Sequence, residues 1–214
     1  MEQMLEYKKI RVGIINLQIN NLFSIFQAFK AIGYNAEIID EKKINYNYNI
    51  VILPGVGTFA KAMNFIKKND IDKKIHDFLN KDNKLIFGIC LGMQLLFEKS
   101  NEIKKTEGLK LIPGEVKKLE SKKFRIPNIG WLNITIKDKK KNFISRSLDN
   151  HKFYFVHSYH CIPKNDSVIS SYVRFDNQNI CSSVKKNNIL GTQFHPEKSG
   201  LDGLKIIKDL IKII

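Results

Sequence analysis

Hydrophobic and polar positions in the first half of the chain follow two repeating patterns. Short apolar runs rich in Ile and Val are typical of buried strands, whereas apolar residues spaced three or four apart are typical of helices that bury one face. The runs predict strands over 11–16, 36–39, 50–53 and 84–87, and the spaced pattern predicts helices over 21–32, 58–66, 70–80 and 91–98. Strands that alternate with helices favour a mostly parallel sheet with helices on both faces.

The second half of the chain consists mainly of short strand-like segments. The pattern predicts strands over 115–119, 132–136, 153–157, 168–175, 180–184 and 189–194, and then an amphipathic helix over 200–213. Because no helices separate these strands, we expect antiparallel strands added to the parallel sheet, or a partly antiparallel continuation of it. No internal repeat or linker divides the chain. We therefore predict one α/β domain over residues 1–214, which is long enough to bury a core.

Composition changes this prediction little. The residues are 43% hydrophobic and 27% charged, as in ordinary globular proteins, but the formal net charge is +15. A basic chain can bind nucleic acid. Here, however, the lysines are dispersed, and arginine, the better reader of phosphates and bases, is scarce. A solvated lysine surface explains the charge better, so we expect no nucleic-acid partner.

Compartment and metal binding can also be assessed from the sequence. No stretch reaches the roughly 20 apolar residues of a membrane span, and residues 1–9 lack the apolar core of a signal peptide. We therefore expect no membrane partner. The three cysteines form no C-x-x-C pair, which fits a reducing cytoplasm. His157, His160 and Cys161 are close in sequence, but positions 157 and 160 point to opposite faces of a strand. We therefore expect no metal site.

One cysteine lies where a predicted strand meets a predicted helix. Cys90 follows the run 84–87 and precedes the helical segment 91–98, with Gly88 and Gly92 on either side. This arrangement is the elbow that exposes a nucleophile at the top of a parallel sheet, where glycines avoid clashes in the sharp turn. A helix N-terminus also favours the thiolate form of a cysteine. Taken alone the motif is weak, because most single cysteines are simply buried.

A His-Pro-Glu tripeptide near the C-terminus supplies what a nucleophilic cysteine needs. His195 follows the predicted strand 189–194 and is therefore expected at the carboxyl edge of the sheet. A histidine can take the thiol proton, and Glu197 can hold that histidine in one orientation. The sequence thus predicts a Cys90–His195–Glu197 triad that attacks an acyl group.

Three segments resemble those of class I, or triad, glutamine amidotransferases: Pro-Gly-Val-Gly at 54–57, Gly-Ile-Cys-Leu-Gly-Met-Gln at 88–94 and His-Pro-Glu at 195–197. Within that class, Lys-Ser-Gly at 198–200, Ile-Pro at 126–127, Gly-Trp at 130–131 and Phe-Val-His-Ser-Tyr at 155–159 are similar to the glutaminase subunits of imidazole glycerol phosphate synthase. The resemblance covers essentially the whole chain. It implies a flavodoxin-like fold, hydrolysis of glutamine to glutamate and ammonia through a thioester on the cysteine, and no cofactor.

The resemblance also implies roles outside the triad. Backbone around Val56, Gly57 and Leu91 would form the oxyanion hole, since the N–H after the nucleophile commonly contributes to it. Glutamine would be bound by Gly55, Gln94, Glu98, Ser158 and Tyr159. Gln94 and Glu98 lie one and two predicted helical turns beyond the cysteine, Glu98 being placed for the amino group of glutamine. Without the motif, a solvated helix face would be the better interpretation of both.

No phosphate-binding glycine loop or other acceptor site is evident, so the ammonia must pass to another protein. The resemblance implies a (βα)8-barrel cyclase subunit that makes imidazole glycerol phosphate and aminoimidazole carboxamide ribotide in histidine biosynthesis. It places Asn21, Trp131 and Lys198 at that interface.

Two segments depart from the pattern of these subunits. The usual Gly-x-Gly-Asn is Gln-Ile-Asn-Asn at 18–21, and Asn128 and Leu132 stand where His and Asn are usual around Gly-Trp. Two alternatives therefore stay open. One is a paralogous glutaminase subunit that supplies ammonia to a surface-sugar amidotransferase; the other is a non-catalytic regulatory or nucleic-acid-binding basic domain. The complete triad argues against the second.

Overall fold

The computed structural model describes residues 9–18, 22–137 and 142–214. Within these ranges the strands are β1 (Arg11–Ile15), β2 (Asn35–Ile39), β3 (Ile50–Leu53), β4 (Leu85–Ile89), β5 (Phe97–Ser100), β6 (Thr106–Glu107), β7 (Ile112–Lys118), β8 (Asn128–Ile136), β9 (Lys152–His157), β10 (Tyr159–Pro163), β11 (Ile169–Phe175), β12 (Gln178–Lys186) and β13 (Ile189–Thr192). The α-helices are α1 (Phe23–Ile32), α2 (Phe59–Lys68), α3 (Ile71–Leu79), α4 (Leu91–Leu95) and α5 (Gly200–Asp209). Short 3₁₀ turns lie at Glu41–Lys43, Arg146–Leu148, Asp166–Val168, Pro196–Lys198 and Leu210–Ile213.

The main sheet has nine strands in the order β2-β1-β3-β4-β13-β12-β11-β8-β9. The strands from β2 to β13 pair in parallel, whereas β13, β12, β11, β8 and β9 pair in antiparallel fashion. A second sheet has four strands in the order β10-β7-β5-β6. The predicted α/β class, with a parallel sheet extended by antiparallel strands, is therefore confirmed. The prediction of one domain stays a prediction.

Alternating side chains of the parallel strands enter two separate cores. In β3, Ile50 and Ile52 pack on the side of α1 and α5, whereas Val51 and Leu53 pack on the side of α2 and α3. All four are fully buried. Strands covered by helices on both faces have no polar side to show, which explains the continuous apolar runs in the sequence. The functional elements therefore stand on a rigid, doubly covered sheet.

The predicted helices differ from the observed ones mainly at their ends. Helix α1 begins at Phe23, and it ends as expected, with Gly33 at φ 102° donating to the Lys30 carbonyl. The helix predicted over 91–98 is wrong beyond Leu95. The next residues form β5 because their backbone pairs with β7, as at Ser100 and Val116. Tertiary pairing here overrides the local helical pattern.

The four-stranded sheet is the main feature that the hydrophobic pattern did not predict. Strands β5, β6 and β10 were not foreseen, and β7 begins earlier than the predicted strand at 115–119. These strands are short and partly exposed, so they lack the continuous apolar signal of the parallel strands.

Among the residues that the structure describes, no helix combines the length and the apolar character needed to cross a lipid bilayer.

Candidate active site

Cys90 occupies a strained turn between β4 and α4. Its backbone lies at φ 54° and ψ −108°, a region that L residues rarely adopt. A Cβ at Gly88 would lie 2.6 Å from the Gly92 carbonyl oxygen, and a Cβ at Gly92 would lie 1.7 Å from the Leu53 carbonyl oxygen. Only glycine fits at both positions, because the obstructing atoms are backbone. The elbow predicted from the sequence is therefore present.

His195 reaches the cysteine because β4 and β13 are parallel neighbours. Thr192 pairs with Ile89, and the Cys90 N–H donates to the Thr192 carbonyl at 2.7 Å, so both strands deliver their carboxyl ends to the same place. His195 Nδ1 and Glu197 Oε1 are 2.7 Å apart, and both side chains are 3% exposed. A buried carboxylate at this distance fixes the proton on Nδ1 and leaves Nε2 to act as the base.

The environment of His195 favours its protonated form. Burial lowers the pKa of His195, but the contacts with Cys90 and Glu197 outweigh burial and raise it from 6.5 to about 10. Its Nε2 is buried and makes no hydrogen bond to the described residues, and the same is true of Glu197 Oε2. The pair can therefore store the proton that the cysteine gives up when it becomes a nucleophile.

A pocket of about 260 Å³ opens in front of the cysteine. It is smaller than clefts that hold drug-sized ligands, and suits a substrate the size of an amino acid. The structure brings these residues singled out in the sequence to its wall: Gly55, Val56, Gly57, Cys90, Leu91, Gln94, Ser158 and Tyr159. His195 and Glu197 line a smaller adjoining cavity of about 30 Å³, whose wall also includes Gly55 and Val56.

Gln94 is a buried member of this wall. Its side chain is 6% exposed, and Nε2 donates to the Tyr159 carbonyl at 2.9 Å and to Gln193 Oε1 at 3.1 Å. The solvated helix face, which the sequence left as an alternative for this residue, does not describe it. The sequence did not single out Gln193 as a site residue, although it lies two residues before His195 and directly after β13.

The structure does not bring Glu98 to the pocket. Because α4 ends at Leu95, Glu98 lies on β5, where it is exposed and Oε2 accepts from the Gly114 N–H at 2.9 Å. Glu102 lines the pocket instead and accepts from the Phe59 N–H. Burial raises the pKa of Glu102, and the bond from Phe59 opposes this shift. The placement of Glu98 on the helical face of the cysteine was therefore wrong.

His157 is a structural histidine on the pocket wall. Its Nδ1 lies 2.9 Å from the Tyr159 carbonyl, and Asn128 Nδ2 lies 3.0 Å from Nε2. Burial lowers the pKa of His157 to about 4, so the ring is neutral near pH 7. The described residues contain no group of three or more His, Cys, Asp or Glu side chains that could hold a metal ion.

Two of the residues expected at a partner surface lie beside the triad. Trp131 is 51% exposed and packs edge-on against Tyr154 at 5.9 Å between ring centroids. The Tyr154 ring is in turn 6.5 Å from that of His195. Lys198 is exposed in the 3₁₀ turn directly after the glutamate of the triad. Asn21 lies outside the described residues.

Comparison with known proteins assigns the chain to one family. The family model for the class I glutamine amidotransferases matches residues 14–213, and the chain belongs to this family. Such proteins are enzymes. The fold alone is shared with more distant solved structures, such as PurLQS from Thermotoga maritima, at 17% identity and a TM-score of 0.75 over 95% of this chain and 98% of the other.

Within the family, the chain is similar to proteins named imidazole glycerol phosphate synthase subunit HisH. The protein from Caldanaerobacter subterraneus subsp. tengcongensis is 41% identical over 95% of this chain and 98% of its own length. The one from Chlorobium chlorochromatii is 37% identical over 94% and 100%, and the one from Thermotoga maritima is 35% identical over 95% and 97%.

Proposed function

We propose that this chain is a glutaminase subunit that hydrolyses glutamine and passes the ammonia to a synthase subunit that makes imidazole glycerol phosphate and aminoimidazole carboxamide ribotide in histidine biosynthesis. The observation that carries the proposal is the buried His195–Glu197 pair at 2.7 Å beside a strained Cys90. The relatives named as HisH subunits, at 35–41% identity over nearly the whole chain, support the choice of pathway.

The reaction we propose uses the three triad residues in turn. The Cys90 thiol proton passes to His195 Nε2, and the sulfur attacks the side-chain amide carbon of glutamine. His195 then gives the proton to the departing ammonia, which leaves a glutamyl thioester. A water molecule, deprotonated by the same histidine, attacks the thioester. The C–S bond then breaks, glutamate is released, and the sulfur is restored beside protonated His195. Glu197 compensates the positive charge on the imidazole during both steps.

Substrate recognition is proposed from the pocket wall. Glu102 is the carboxylate among the residues lining the pocket, and is placed to bind the substrate ammonium group, the role that the sequence suggested for Glu98. A charge-assisted hydrogen bond to a partly buried carboxylate is stronger than a neutral one. Backbone at Ser158 and Tyr159 would meet the substrate carboxylate, and the Gly55 backbone and Gln94 would complete the site.

The oxyanion hole is proposed at the backbone of Val56, Gly57 and Leu91. Leu91 is the first residue of α4, so its N–H has no partner within the helix, and the residue lines the pocket. Gly57 has a φ of 120°, a conformation that L side chains rarely adopt. A peptide with glycine on one side can rotate at low cost, which would let a partner complete the hole.

The relatives are named as subunits of a synthase, and we infer that this chain works with a partner subunit, a (βα)8-barrel cyclase. Large exposed side chains near the triad fit an interface. They include Phe23 at 64%, Trp131 at 51% and Leu201 at 86% exposure. Exposed Lys198 lines the smaller cavity beside His195 and Glu197, and we propose that ammonia leaves through this cavity toward the partner.

The test is glutamine hydrolysis by the purified chain mixed with the barrel cyclase from the same source, with and without the ribotide substrate of the cyclase. We expect ligand-dependent stimulation that is absent in Cys90→Ala and retained in Cys181→Ala, which removes a buried cysteine with no place in the triad. Hydrolysis that ignores the barrel would contradict the pathway and favour the paralogous, surface-sugar alternative. No hydrolysis with any partner would contradict the glutaminase itself.

A further inference from the structure

A line of directed hydrogen bonds connects the pocket wall to the cysteine sulfur. Gln94 Nε2 donates to the Tyr159 carbonyl at 2.9 Å and to Gln193 Oε1 at 3.1 Å. Gln193 Nε2 then lies 3.7 Å from Cys90 Sγ, within the range of a hydrogen bond to sulfur. Gln193 is fully buried and Gln94 is 6% exposed, so water does not compete strongly for these bonds. The triad makes no use of Gln193.

The chemistry of the groups determines which end of each amide faces which neighbour. A backbone carbonyl can only accept, so the side of Gln94 that faces Tyr159 must be its NH₂ group. The second hydrogen of that NH₂ group is then directed at Gln193, which must present its oxygen. Gln193 is thereby left with its NH₂ group facing the cysteine. A donor, and not an acceptor, is aimed at Cys90 Sγ.

His157 strengthens this orientation. The Tyr159 carbonyl also accepts from His157 Nδ1 at 2.9 Å, so the carbonyl is held from two sides. Asn128 Nδ2 donates to His157 Nε2 at 3.0 Å, which fixes the histidine tautomer with its proton on Nδ1. The Tyr159 carbonyl, which orients the Gln94 side chain, is therefore itself held in place by several hydrogen bonds.

The sulfur has a different partner in each protonation state. In the thiol form, Sγ–H donates to the Val156 carbonyl at 3.7 Å. When the proton passes to His195 Nε2, the sulfur keeps the electron pair and can only accept, so the bond from Gln193 becomes charge-assisted. Helix α4, with 5 residues, is too short for a strong dipole, which increases the need for such a donor.

We propose that the Gln193 side-chain amide stabilises the Cys90 thiolate, and that Gln94 acts as a positioning residue that holds this amide with its NH₂ group toward the sulfur. The proposal deepens the proposed function and rests on it, because a thiolate donor matters only for a nucleophilic cysteine. Gln193 thus joins the groups in contact with the reacting atom, while Gln94 contributes both to the pocket wall and to the state of the sulfur.

The test is the pH dependence of Cys90 alkylation by iodoacetamide, followed by peptide mass spectrometry, in the full-length chain. In Gln193→Met, which keeps the size but removes the donor, the half-maximal pH should rise by about one unit, the effect of one hydrogen bond to a charged group. At pH 7, kcat for glutamine should fall about tenfold, with a smaller change in KM.

The other charged and titratable groups around the sulfur are the same in the unchanged chain and in Gln193→Met. His195, backed by Glu197, faces it from the end of β13, Glu102 and His157 line the same pocket, and Cys161 is a buried neighbour. Burial raises the pKa of the Cys161 thiol well above its usual value, so its alkylation is slow and falls on a different peptide. The difference between the two alkylation curves therefore measures the effect of the Gln193 amide on the Cys90 sulfur.

Thr192→Val is the matched control. Thr192 is the fully buried residue directly before Gln193, and its hydroxyl has no hydrogen-bond partner among the described residues, so the change should leave the curve unmoved. If Gln193→Met does not fold, as judged by its melting transition, Gln193→Leu, which also lacks a donor, carries the test with the same expected rise in the half-maximal pH. An unmoved curve in a folded Gln193 variant would overturn the proposal. Because alkylation needs no glutamine, this outcome is distinct from failure of the glutaminase function.

Discussion

The two sides of the pocket come from differently built parts of the molecule. The reaction side, Cys90 and His195, stands at the carboxyl ends of two adjacent parallel strands, β4 and β13. The recognition side, Glu102 and Tyr159, belongs to the four-stranded sheet. Glu102 lies in the loop between β5 and β6, and Tyr159 is the first residue of β10. The first side is held by a doubly covered core, the second by short and partly exposed strands. In the function we propose, the reaction is therefore carried by the rigid sheet, and substrate recognition in part by the smaller sheet added to it.

This difference explains why the elbow at Cys90 could be located by motif and the pocket carboxylate Glu102 could not. The elbow needs glycines at defined positions, because the backbone of Gly92 in α4 occupies the space of a Cβ at Gly88, and the backbone of Leu53 in β3 occupies that of a Cβ at Gly92. Such steric requirements leave a short, dense signature in the sequence. A carboxylate that binds substrate from a loop, as proposed for Glu102, has no comparable constraint on its neighbours.

The largest expected effect comes from a substitution on the reaction side of the pocket. Glu197→Gln keeps the size of the side chain but removes the charge that orients and stabilises protonated His195, which lies 2.7 Å away. We expect kcat to fall about 10³- to 10⁴-fold, as in other triads, with little change in KM. Steady-state glutamine hydrolysis in the presence of the partner measures this. A loss of less than about tenfold would mean that Glu197 only supports the fold.

A smaller effect separates recognition from reaction. Glu102→Gln should raise KM for glutamine about 10- to 100-fold, the value of one charge-assisted hydrogen bond, while kcat changes less. Glu98→Gln is the matched control, since Glu98 is exposed and contacts the Gly114 N–H outside the pocket. It should leave both parameters near those of the unchanged chain. The reverse result would restore the sequence-based assignment of Glu98.

The smallest effect concerns stability against pH. Burial opposes protonation of His195, but Cys90 and Glu197 raise its pKa to about 10 in the folded chain, above its usual 6.5. The stabilisation is therefore complete below about pH 6.5 and is lost as the pH rises through about 10. We expect the melting temperature to fall between pH 7 and 10, and to fall less in Glu197→Gln. Scanning calorimetry at several pH values measures both slopes.

Asp202→Asn is the control for that experiment. Asp202 pairs with His151 at the same kind of distance, 2.9 Å, but both side chains are largely exposed, at 38% and 45%. Solvent screens such a pair, so its loss should leave the slope between pH 7 and 10 unchanged. A slope that is the same in all three proteins would show that the buried pair does not hold its proton more tightly than the unfolded chain does.

The hydrophobic pattern predicted most of the parallel half of the fold. Strand β3 was located to the residue, and helix α1 was ended correctly at Gly33, because continuous apolar runs and a C-terminal glycine are local signals. The pattern failed at β5, where backbone pairing with β7 decides the structure against the helical spacing. That failure misplaced Glu98, because the helix was extended about one turn too far; Glu102 lies in the loop after β5, which the pattern did not predict.

The sequence by itself determined the α/β class and the elbow at Cys90, and it predicted His195 and Glu197 as the partners of that cysteine. These follow from local periodicity and from steric needs that only certain residues satisfy. The tertiary structure alone decided which carboxylate enters the pocket and that Gln193 turns its amide toward the sulfur. Both depend on contacts between segments far apart in the chain, Gln193 and Cys90 being 103 positions apart. Such contacts are set by strand order and register, which no short window of sequence contains.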